Sequence, residues 1–229
     1  MVKKRFLFIS PHPDDAELGI GGTILKLKKQ GHAVFMVDLT DGEPTPFGSK
    51  EKREKETEKA TKILGVDERI NLGLPNRYLC DNQEARLLVA ETIRKFKPDI
   101  LFCPYSEDAH PDHLAATKIT EAARFYAKYT KVDLAGQPHY PFYLFYFFSS
   151  HLRISAQPNF FIDISDCFAK KIRAIKSYRS QFIDNFKNKF VFSYVENINH
   201  YWGSLIRKEF AEGLFTKEAI KLDNLQSIL

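Results

Sequence analysis

The stretch Ile9-Ser10-Pro11-His12-Pro13-Asp14-Asp15-Ala16-Glu17-Leu18-Gly19-Ile20-Gly21-Gly22 decides the fold of this chain. An apolar run, Phe6–Ile9, leads into it, and a helical pattern begins after it at Thr23. Its two prolines hold the acid-rich segment extended, because each fixes its own φ angle and restricts the residue before it. The stretch therefore predicts a strand, a rigid turn and a helix. In open α/β sheets, such strand-end turns are where ligands bind.

A second stretch repeats this layout. The apolar run Ile100–Cys103 is followed by a polar loop, then by His110-Pro111-Asp112-His113, and then by a helical pattern from Leu114. Two strand-end loops of this kind can meet at one point if their strands are neighbours. Histidine nitrogens and a carboxylate oxygen are ligands that zinc takes, and three of them leave positions open for water and substrate. The two stretches together predict a metal site.

The acids of the first stretch have an alternative interpretation. Asp14, Asp15 and Glu17 could cap the helix that follows, since acids suit a helix N-terminus. That interpretation does not explain why both stretches pair histidine with acid at the end of an apolar run. The Gly19–Gly22 segment is a weak match to the glycine fingerprint of nucleotide-binding proteins, and the acids before it would repel a pyrophosphate.

The first half of the chain alternates strands and helices. Further elements are predicted at Val34–Val37 (strand), Ser49–Leu64 (helix), Arg69–Leu72 (strand) and Glu84–Phe96 (helix). This order predicts an α/β fold, a Rossmann-like and mainly parallel sheet with helices on both faces. A length of 229 residues suits a single domain, 1–229.

The second half is less regular. Residues 141–148 are intensely aromatic and form either a sugar-stacking platform or a strand buried on both faces or in a subunit contact; we favour the strand. A strand at Phe160–Asp163 precedes a helix that runs as far as Tyr178. The tail, 194–214, is expected to pack back on the sheet.

Composition limits the class of protein. Hydrophobic residues make up 44% of the chain and charged residues 28%, which is enough for a large core with an ordinary surface. The net charge of +5 is spread among mixed lysines and glutamates, so we expect no nucleic-acid partner. Three cysteines at unrelated spacing suggest no disulfide framework. With no signal-peptide or membrane-spanning run, we expect a cytoplasmic protein and no membrane partner.

The two histidine motifs carry a resemblance. Pro11-His12-Pro13-Asp14-Asp15 with Gly21-Gly22, and then His110-Pro111-Asp112-His113, is similar to the LmbE/PIG-L family of zinc-dependent sugar N-deacetylases. The chain most resembles the bacillithiol-pathway branch, whose members deacetylate N-acetylglucosaminyl malate. The resemblance implies a small N-acetylated amino sugar as substrate. It also implies a homo-oligomer, to which the aromatic run of residues 141–148 could contribute a contact.

The resemblance also implies roles for single residues. The metal ligands are His12, Asp15 and His113; the ion is Zn²⁺, although Fe²⁺ or another divalent ion suits the same ligands. The remaining implied roles are general base for Asp14, electrophile or acid for His110, histidine orientation for Asp112, substrate contact for Arg53 and oxyanion stabilisation for Tyr194. Four of these residues keep a simpler alternative: a helix cap for Asp14 and Asp112, an ion pair on a charged helix for Arg53, and a core position for Tyr194.

Some positions depart from the branch. Relatives of the bacillithiol branch tend to have arginine where this chain has Ala109, and another near Tyr140. Losing two cations weakens the case for an anionic malate conjugate, unless Arg77 or Arg153 replaces them. A metal-dependent phosphoesterase is an alternative enzyme, and for a second ion it would need ligands such as Glu17, Asp41 or Asp108. A non-catalytic metal- or sugar-binding protein is the alternative outside catalysis.

Overall fold

A computed structural model of the chain describes residues 2–149 and 157–221. In chain order the elements are β1 (Arg5–Ser10), α1 (Asp15–Lys29), β2 (Ala33–Thr40), α2 (Lys50–Leu64), β3 (Glu68–Leu74), α3 (Gln83–Phe96), β4 (Ile100–Pro104), α4 (Pro111–Tyr126), β5 (Tyr143–Phe147), β6 (Phe160–Asp163), α5 (Phe168–Ile175), α6 (Arg179–Phe182), a 3-10 helix (Phe186–Asn188), α7 (Phe190–Leu205) and β7 (Ala211–Phe215). Among the described helices, none has the length and apolar character needed to span a membrane.

The strands form one seven-stranded sheet in the order β3-β2-β1-β4-β5-β7-β6. The first five strands in this order are parallel, and β7 runs antiparallel to both β5 and β6. The chain moves outward from β1 to β3 and then crosses back to β4 on the other side of β1. Strand order therefore reverses between β1 and β4, and a crevice opens at such a point. The loops after these two strands carry the two histidine motifs. Because β1 pairs directly with β4, the expectation that the strands before the motifs are neighbours is confirmed.

Helices cover both faces of the sheet, as predicted. On one face, Val89 and Ile93 of α3 and Ile119 of α4 pack against inward side chains of β1 and β4 such as Leu7 and Leu101. On the other face, α1 packs against the alternate side chains of β1, β2 and β4, including Phe8, Met36 and Phe102. Parallel strands buried on both faces account for the continuous apolar runs in the sequence.

The start of α1 differs from the prediction. The helix begins at Asp15 rather than Thr23, and it breaks at Ile20, whose φ of −145° is not helical. Just after the break, the buried carboxylate of Glu212 accepts the N–H groups of Gly22 and Thr23, at 2.8 and 2.7 Å. The helical pattern from Thr23 was therefore the second segment of a kinked helix. Likewise, α4 begins at Pro111, not at Leu114, with proline in its favoured first-turn position.

The aromatic run forms an interior strand of the sheet. β5 lies between β4 and β7 and buries Leu144, Tyr146 and Phe147, whereas Phe142 before it is 68% exposed. This agrees with the strand interpretation rather than the sugar platform. The helix predicted to continue to Tyr178 ends at Ile175; Tyr178 instead lies in the turn before α6, where its hydroxyl donates to Glu17 at 2.8 Å. Arg153 lies outside the described residues.

Candidate metal centre and active site

The two histidine motifs meet at the point where strand order reverses. His12, in the loop after β1, places its Nε2 atom 3.1 Å from Oδ2 of Asp112 in the first turn of α4. Asp15, at the start of α1, places Oδ1 3.3 Å from Nε2 of His113. These contacts join loops that follow two adjacent strands, and the side chains are nearly buried.

Three of the predicted ligands form one cluster. One ligand atom from each of His12, Asp15 and His113 lies within 4.8 Å of the others. Oδ2 of Asp15 lies 3.1 Å from Nδ1 of His12, so the carboxylate stands between the two imidazoles. Two neutral nitrogens and one carboxylate oxygen match the donor set of a catalytic zinc site, which keeps a position open. The three residues therefore fit a divalent ion.

A second cluster shares His12 but is less suited to a metal ion. Ligand atoms of His12, His110 and Asp112 also lie within 4.8 Å of one another. The carboxylate of Asp112, however, already accepts the N–H groups of Arg77 at 2.7 Å and Leu79 at 3.3 Å. Nδ1 of His110 accepts the N–H of Asp112 at 3.1 Å. Among the described residues, Asp15 accepts a backbone N–H only on Oδ2, from His12 at 3.0 Å, and its Oδ1 atom faces His113. The cluster with Asp15 is therefore the better metal site.

Each candidate histidine ligand has an acidic partner on its other nitrogen. Asp112 contacts Nε2 of His12, and Asp108 contacts Nδ1 of His113 at 2.9 Å. A carboxylate only accepts hydrogen bonds, so Asp112 and Asp108 each keep a hydrogen on the outer nitrogen that they contact. An ion bound beside Asp15 would then take the lone pair of the inner nitrogen, in place of the proton that the Asp15 carboxylate otherwise holds there. Asp112 lies 3.1 Å from Nε2 of His12, and its role in orienting that ring stays a prediction. Its carboxylate binds the segment at Arg77 and Leu79 rather than capping its own helix.

The acids make this pocket attractive to a cation. Burial alone lowers the pKa of His12, but the hydrogen bonds to Asp112 and Asp15 outweigh it and raise that pKa to about 9. Burial likewise lowers the pKa of His113, and the charge of Asp15 and the hydrogen bond to Asp108 raise it to about 10. A divalent ion can take the place of protons held in this way, since metal binding releases them.

Asp14 has an unusual backbone conformation. Its φ of 119° is one that residues other than glycine rarely adopt, and such strain concentrates at functional sites. It occupies the N-cap position of α1, yet its side chain makes no capping hydrogen bond, so the helix-cap interpretation is wrong for the side chain. Burial raises the pKa of Asp14 to about 7, although the charge of Arg53 opposes that rise.

Arg53 is buried behind Asp14. Its Nη1 atom donates to Oδ2 of Asp14 at 2.9 Å and to the carbonyl oxygen of Pro13 at 2.6 Å, and its Nε atom donates to Glu43 at 3.2 Å. Only 4% of its side chain is exposed. The guanidinium of Arg53 therefore fixes the position of Asp14, the candidate general base. A substrate contact by Arg53 stays a prediction.

His110 lies beside the same cluster, and Tyr194 lies within electrostatic range of Asp108. The His110 ring centre is 5.0 Å from that of His12 and 4.9 Å from that of His113. Because its Nδ1 atom accepts a backbone N–H, the hydrogen of the neutral ring lies on Nε2. Tyr194 is half-buried on α7; burial raises the pKa of its hydroxyl, and the charge of Asp108 adds to that rise. Its role stays a prediction.

The extra ligands that a dinuclear site would need are engaged elsewhere. Glu17 binds Arg69 at 2.6 Å, Asp41 pairs with Lys50 at 3.0 Å, and Asp108 contacts the outer nitrogen of His113. The glycines of α1 serve packing rather than phosphate binding: a methyl group on Gly22 would lie 2.7 Å from Ile164, and one on Gly19 would lie 2.6 Å from the carbonyl oxygen of Phe148.

Comparison with known proteins agrees with this geometry. The family description "PIG-L: GlcNAc-PI de-N-acetylase" matches residues 7–124, more than half of the chain. The chain belongs to the PIG-L family. This result confirms the resemblance predicted from the two histidine motifs.

Three similar proteins are informative. The chain is 32% identical to a diacetylchitobiose deacetylase of Thermococcus kodakarensis over 92% of this chain and 82% of that protein. It is 28% identical to a probable N-acetyl-alpha-D-glucosaminyl L-malate deacetylase 2 of Bacillus anthracis over 79% of this chain and 82% of that protein. The crystal structure of a conserved protein from Thermus thermophilus superposes with a TM-score of 0.88 at 36% identity, covering 96% of this chain and 97% of that one.

The two positions that differ from the bacillithiol branch of the PIG-L family, 109 and 140, lie in different parts of the structure. Ala109 lies in the site loop, between Asp108 and His110. Tyr140 instead precedes β5, so it lies at the amino-terminal end of the parallel strands, whereas the site lies at their carboxyl end. There the guanidinium of Arg124 lies 4.6 Å from the centre of the Tyr140 ring. Within one chain, position 140 cannot contact a substrate at the metal cluster. Arg77 does lie at the site, since its backbone N–H binds Asp112 and its Nη2 atom reaches the carbonyl oxygen of Pro44 at 2.6 Å.

Two residues of this PIG-L site were missed as contributors from the sequence. Asp108 was considered only as a ligand for a second ion, and Ser149 was not considered at all. Ser149 ends the aromatic run just beyond β5, and its hydroxyl lies 2.9 Å from Nδ1 of His113. The sequence signal that could have indicated Ser149 was weak. It was a polar residue at the end of an apolar strand, and Ser10 occupies a similar position at the end of β1.

Proposed function

We propose that this PIG-L protein hydrolyses the acetamido group of an N-acetylglucosamine-type amino sugar or its conjugate, with a divalent ion, most simply zinc, held by His12, Asp15 and His113. The observation that carries this proposal is the contact of these three residues across two strand-end loops, next in sequence to a strained and mostly buried Asp14. A non-catalytic metal- or sugar-binding protein would need neither the strain at Asp14 nor a histidine at position 110.

The mechanism divides among the chain's own residues. When bound, the ion supplies Lewis acidity for the amide carbonyl and for the attacking water. Asp14 accepts a proton from that water, while Arg53 holds its Oδ2 atom and leaves Oδ1 for the water. A new C–O bond forms at the carbonyl carbon. The Asp14 carboxylate makes no capping hydrogen bond to α1, and its Oδ2 atom lies on Arg53 instead.

The leaving group needs a proton and the carbonyl oxygen needs a hydrogen-bond donor. His110, with its hydrogen on Nε2, donates toward the developing negative charge on that oxygen. The hydroxyl of Tyr194, protonated at neutral pH, adds a second donor. The proton taken up by Asp14 passes to the amine nitrogen as the C–N bond breaks. The products are acetate and the free amino sugar.

An uncharged saccharide is the preferred substrate. Support comes from the identity to a diacetylchitobiose deacetylase over most of both chains, and from Ala109, which replaces a cation in the site loop. A malate conjugate is the second candidate. The observation in its favour is Arg77, the arginine whose backbone binds Asp112 at the rim of the site. With all three cysteines free, a reducing cytoplasm is the compartment that we propose.

The test is acetate release from a matched set of compounds. Diacetylchitobiose, N-acetylglucosamine, its malate conjugate and its inositol conjugate are each incubated with zinc-loaded protein, with Asp14→Asn as the negative control. We expect the disaccharide to be the best substrate. Faster turnover of the malate conjugate, abolished by Arg77→Ala, would favour the second candidate. Binding without acetate release from any compound would contradict the enzyme.

We further propose that the protein is a homo-oligomer that uses the outward face of α7. Phe190, Tyr201 and Leu205 on this helix are 61%, 52% and 51% exposed. Positions 190, 201 and 205 are about three helical turns and about one turn apart, so the three side chains share one face of α7. An apolar stripe of this length on a solvent-facing helix marks a contact surface. The aromatic run of β5 is a weaker candidate, because most of it lies inside the sheet.

A further inference from the structure

Asp108 and Ser149 form a hydrogen-bonded pair behind His113. The Ser149 hydroxyl donates to Oδ2 of Asp108 at 2.5 Å, and both oxygens lie 2.9 Å from Nδ1 of His113. Ser149 is 2% exposed, and the side chains of Asp108 and His113 are 3% and 0% exposed. The second oxygen of Asp108 accepts the backbone N–H of His110 at 2.8 Å.

These contacts determine which nitrogen of His113 carries hydrogen. A carboxylate offers only lone pairs, so Nδ1 must present an N–H to Asp108. The Ser149 hydroxyl uses its hydrogen on Asp108, so it too presents a lone pair to Nδ1. One N–H is therefore shared between two acceptors. Nε2, which lies 3.3 Å from Asp15, is then the nitrogen whose lone pair becomes available to an ion that displaces its proton.

We propose that Asp108 and Ser149 are positioning residues that fix His113 as an Nε2 ligand and, through the backbone of His110, align the two histidines of the second motif. This inference rests on the proposed function, since it assumes a divalent ion at His12, Asp15 and His113. Ser149 follows β5, so a third parallel strand supports the centre in addition to β1 and β4. Outer partners of metal-bound histidines typically contribute about 10- to 100-fold in metal affinity.

Zinc affinity, measured by competition with a chromogenic chelator, tests the pair. We expect Asp108→Ala to weaken zinc binding by about 10- to 100-fold. Asp108→Asn should weaken zinc binding less, because its amide oxygen can still accept from Nδ1. Ser149→Ala should also weaken zinc binding, but less than Asp108→Ala does. The absorption bands of the Co²⁺-loaded protein should shift in each variant, because the orientation of a ligand changes.

The chain offers a matched control pair. Ser165 donates to Asp163 at 2.8 Å in the same Ser–Asp arrangement, in the segment between β6 and α5. Asp163→Ala and Ser165→Ala should leave zinc affinity and the Co²⁺ spectrum unchanged. If Asp108→Ala does not fold, Ser149→Ala and Asp108→Asn carry the test.

Two failures are distinguishable. Folded Asp108→Asn and Ser149→Ala proteins with wild-type zinc affinity and wild-type Co²⁺ spectra would overturn the positioning role while His113→Ala still loses the metal. Equal zinc binding by wild type and His113→Ala would overturn the metal site itself, and the positioning role with it.

Discussion

Nε2 of His12 lies 3.1 Å from Oδ2 of Asp112, although 100 positions separate the two residues in the chain. The contact joins the loop after β1 to the first turn of α4. It leaves Nδ1 of His12 facing Asp15, where a metal ion would bind. This contact and the one between Asp15 and His113 hold the two motifs together, and each places a ring nitrogen of one histidine next to Asp15.

The metal content of three variants tests the cluster. His12→Ala, Asp15→Ala and His113→Ala each remove one of the three donors, so each purified protein should lose most of its divalent ion, whereas wild type carries about one ion per chain, as a mononuclear site requires. Elemental analysis measures this directly. Asp41→Ala, outside the cluster, should keep its metal. Unchanged metal in all three variants would contradict the site.

Asp14→Asn tests the general base. It keeps the size of the side chain and leaves His12, Asp15 and His113 untouched, so metal content should stay at the wild-type level. Acetate release should fall by about 10²- to 10⁴-fold, the usual contribution of a positioned base. Rate and metal are measured on the same preparation, with Asp81→Asn as the surface control. Full activity with metal bound would refute the assignment.

The α7 stripe predicts the assembly state. Light scattering at micromolar concentration should report an oligomer for wild type. Tyr201→Glu and Leu205→Glu should shift it toward monomer, because a charge on a covered apolar face has no partner. Phe142→Glu, at an equally exposed aromatic outside α7, should not. A monomeric wild type counts against the prediction, and dissociation by Phe142→Glu alone would move the contact to β5.

Glu212→Gln tests the brace of the kinked helix. Glu212 binds the buried ammonium of Lys171 at 2.6 Å and accepts the N–H groups of Gly22 and Thr23 just after the break in α1. Removing its charge leaves Lys171 unpaired in the core, and losing one partner of a buried pair costs about 3–5 kcal/mol in the free energy of unfolding. Denaturant unfolding measures the loss. Glu209→Gln, exposed nearby, is the control; an equal midpoint for both variants would contradict the brace.

The lowered pKa of Asp67 predicts that the free energy of unfolding depends on pH. Burial works against its ionised form, but Lys28 at 2.6 Å and the N–H of Val34 outweigh it and lower its pKa below the usual value. The ionised form therefore stabilises the fold. That stability is complete above about pH 4, the pKa of an unfolded aspartate, and is lost as pH falls through the lower folded pKa.

Asp67→Asn removes that dependence. The difference in the free energy of unfolding between wild type and Asp67→Asn should be constant from about pH 5 to pH 7 and should shrink below about pH 4. Because the pair is partly exposed, the difference should stay below about 1 kcal/mol. Asp133→Asn, on an exposed loop, is the control. A difference that does not change between about pH 3 and pH 6 would contradict the prediction.

The sequence by itself determined the strand-turn-helix units and the types of ligand. Apolar runs that end at Ser10 and Pro104, each followed by histidine and acid, predict two strand-end loops with zinc-type donors, because these signals are local and depend on proline, capping and strand burial. The same local signals misplaced the start of α1. The N–H groups at its break are satisfied by Glu212, which lies 190 positions beyond Gly22.

Only the tertiary structure decided which groups surround the ligands. Ser149 meets His113 because β5 pairs with β4, and Arg53 meets Asp14 because α2 packs beside the first turn of α1. The order of strands in a parallel sheet follows from how crossovers bury their helices, and the sequence next to a ligand does not encode that order. The ligands were therefore predictable from local pattern. Their hydrogen-bond partners were not, since those come from distant segments that only the packed sheet brings within reach.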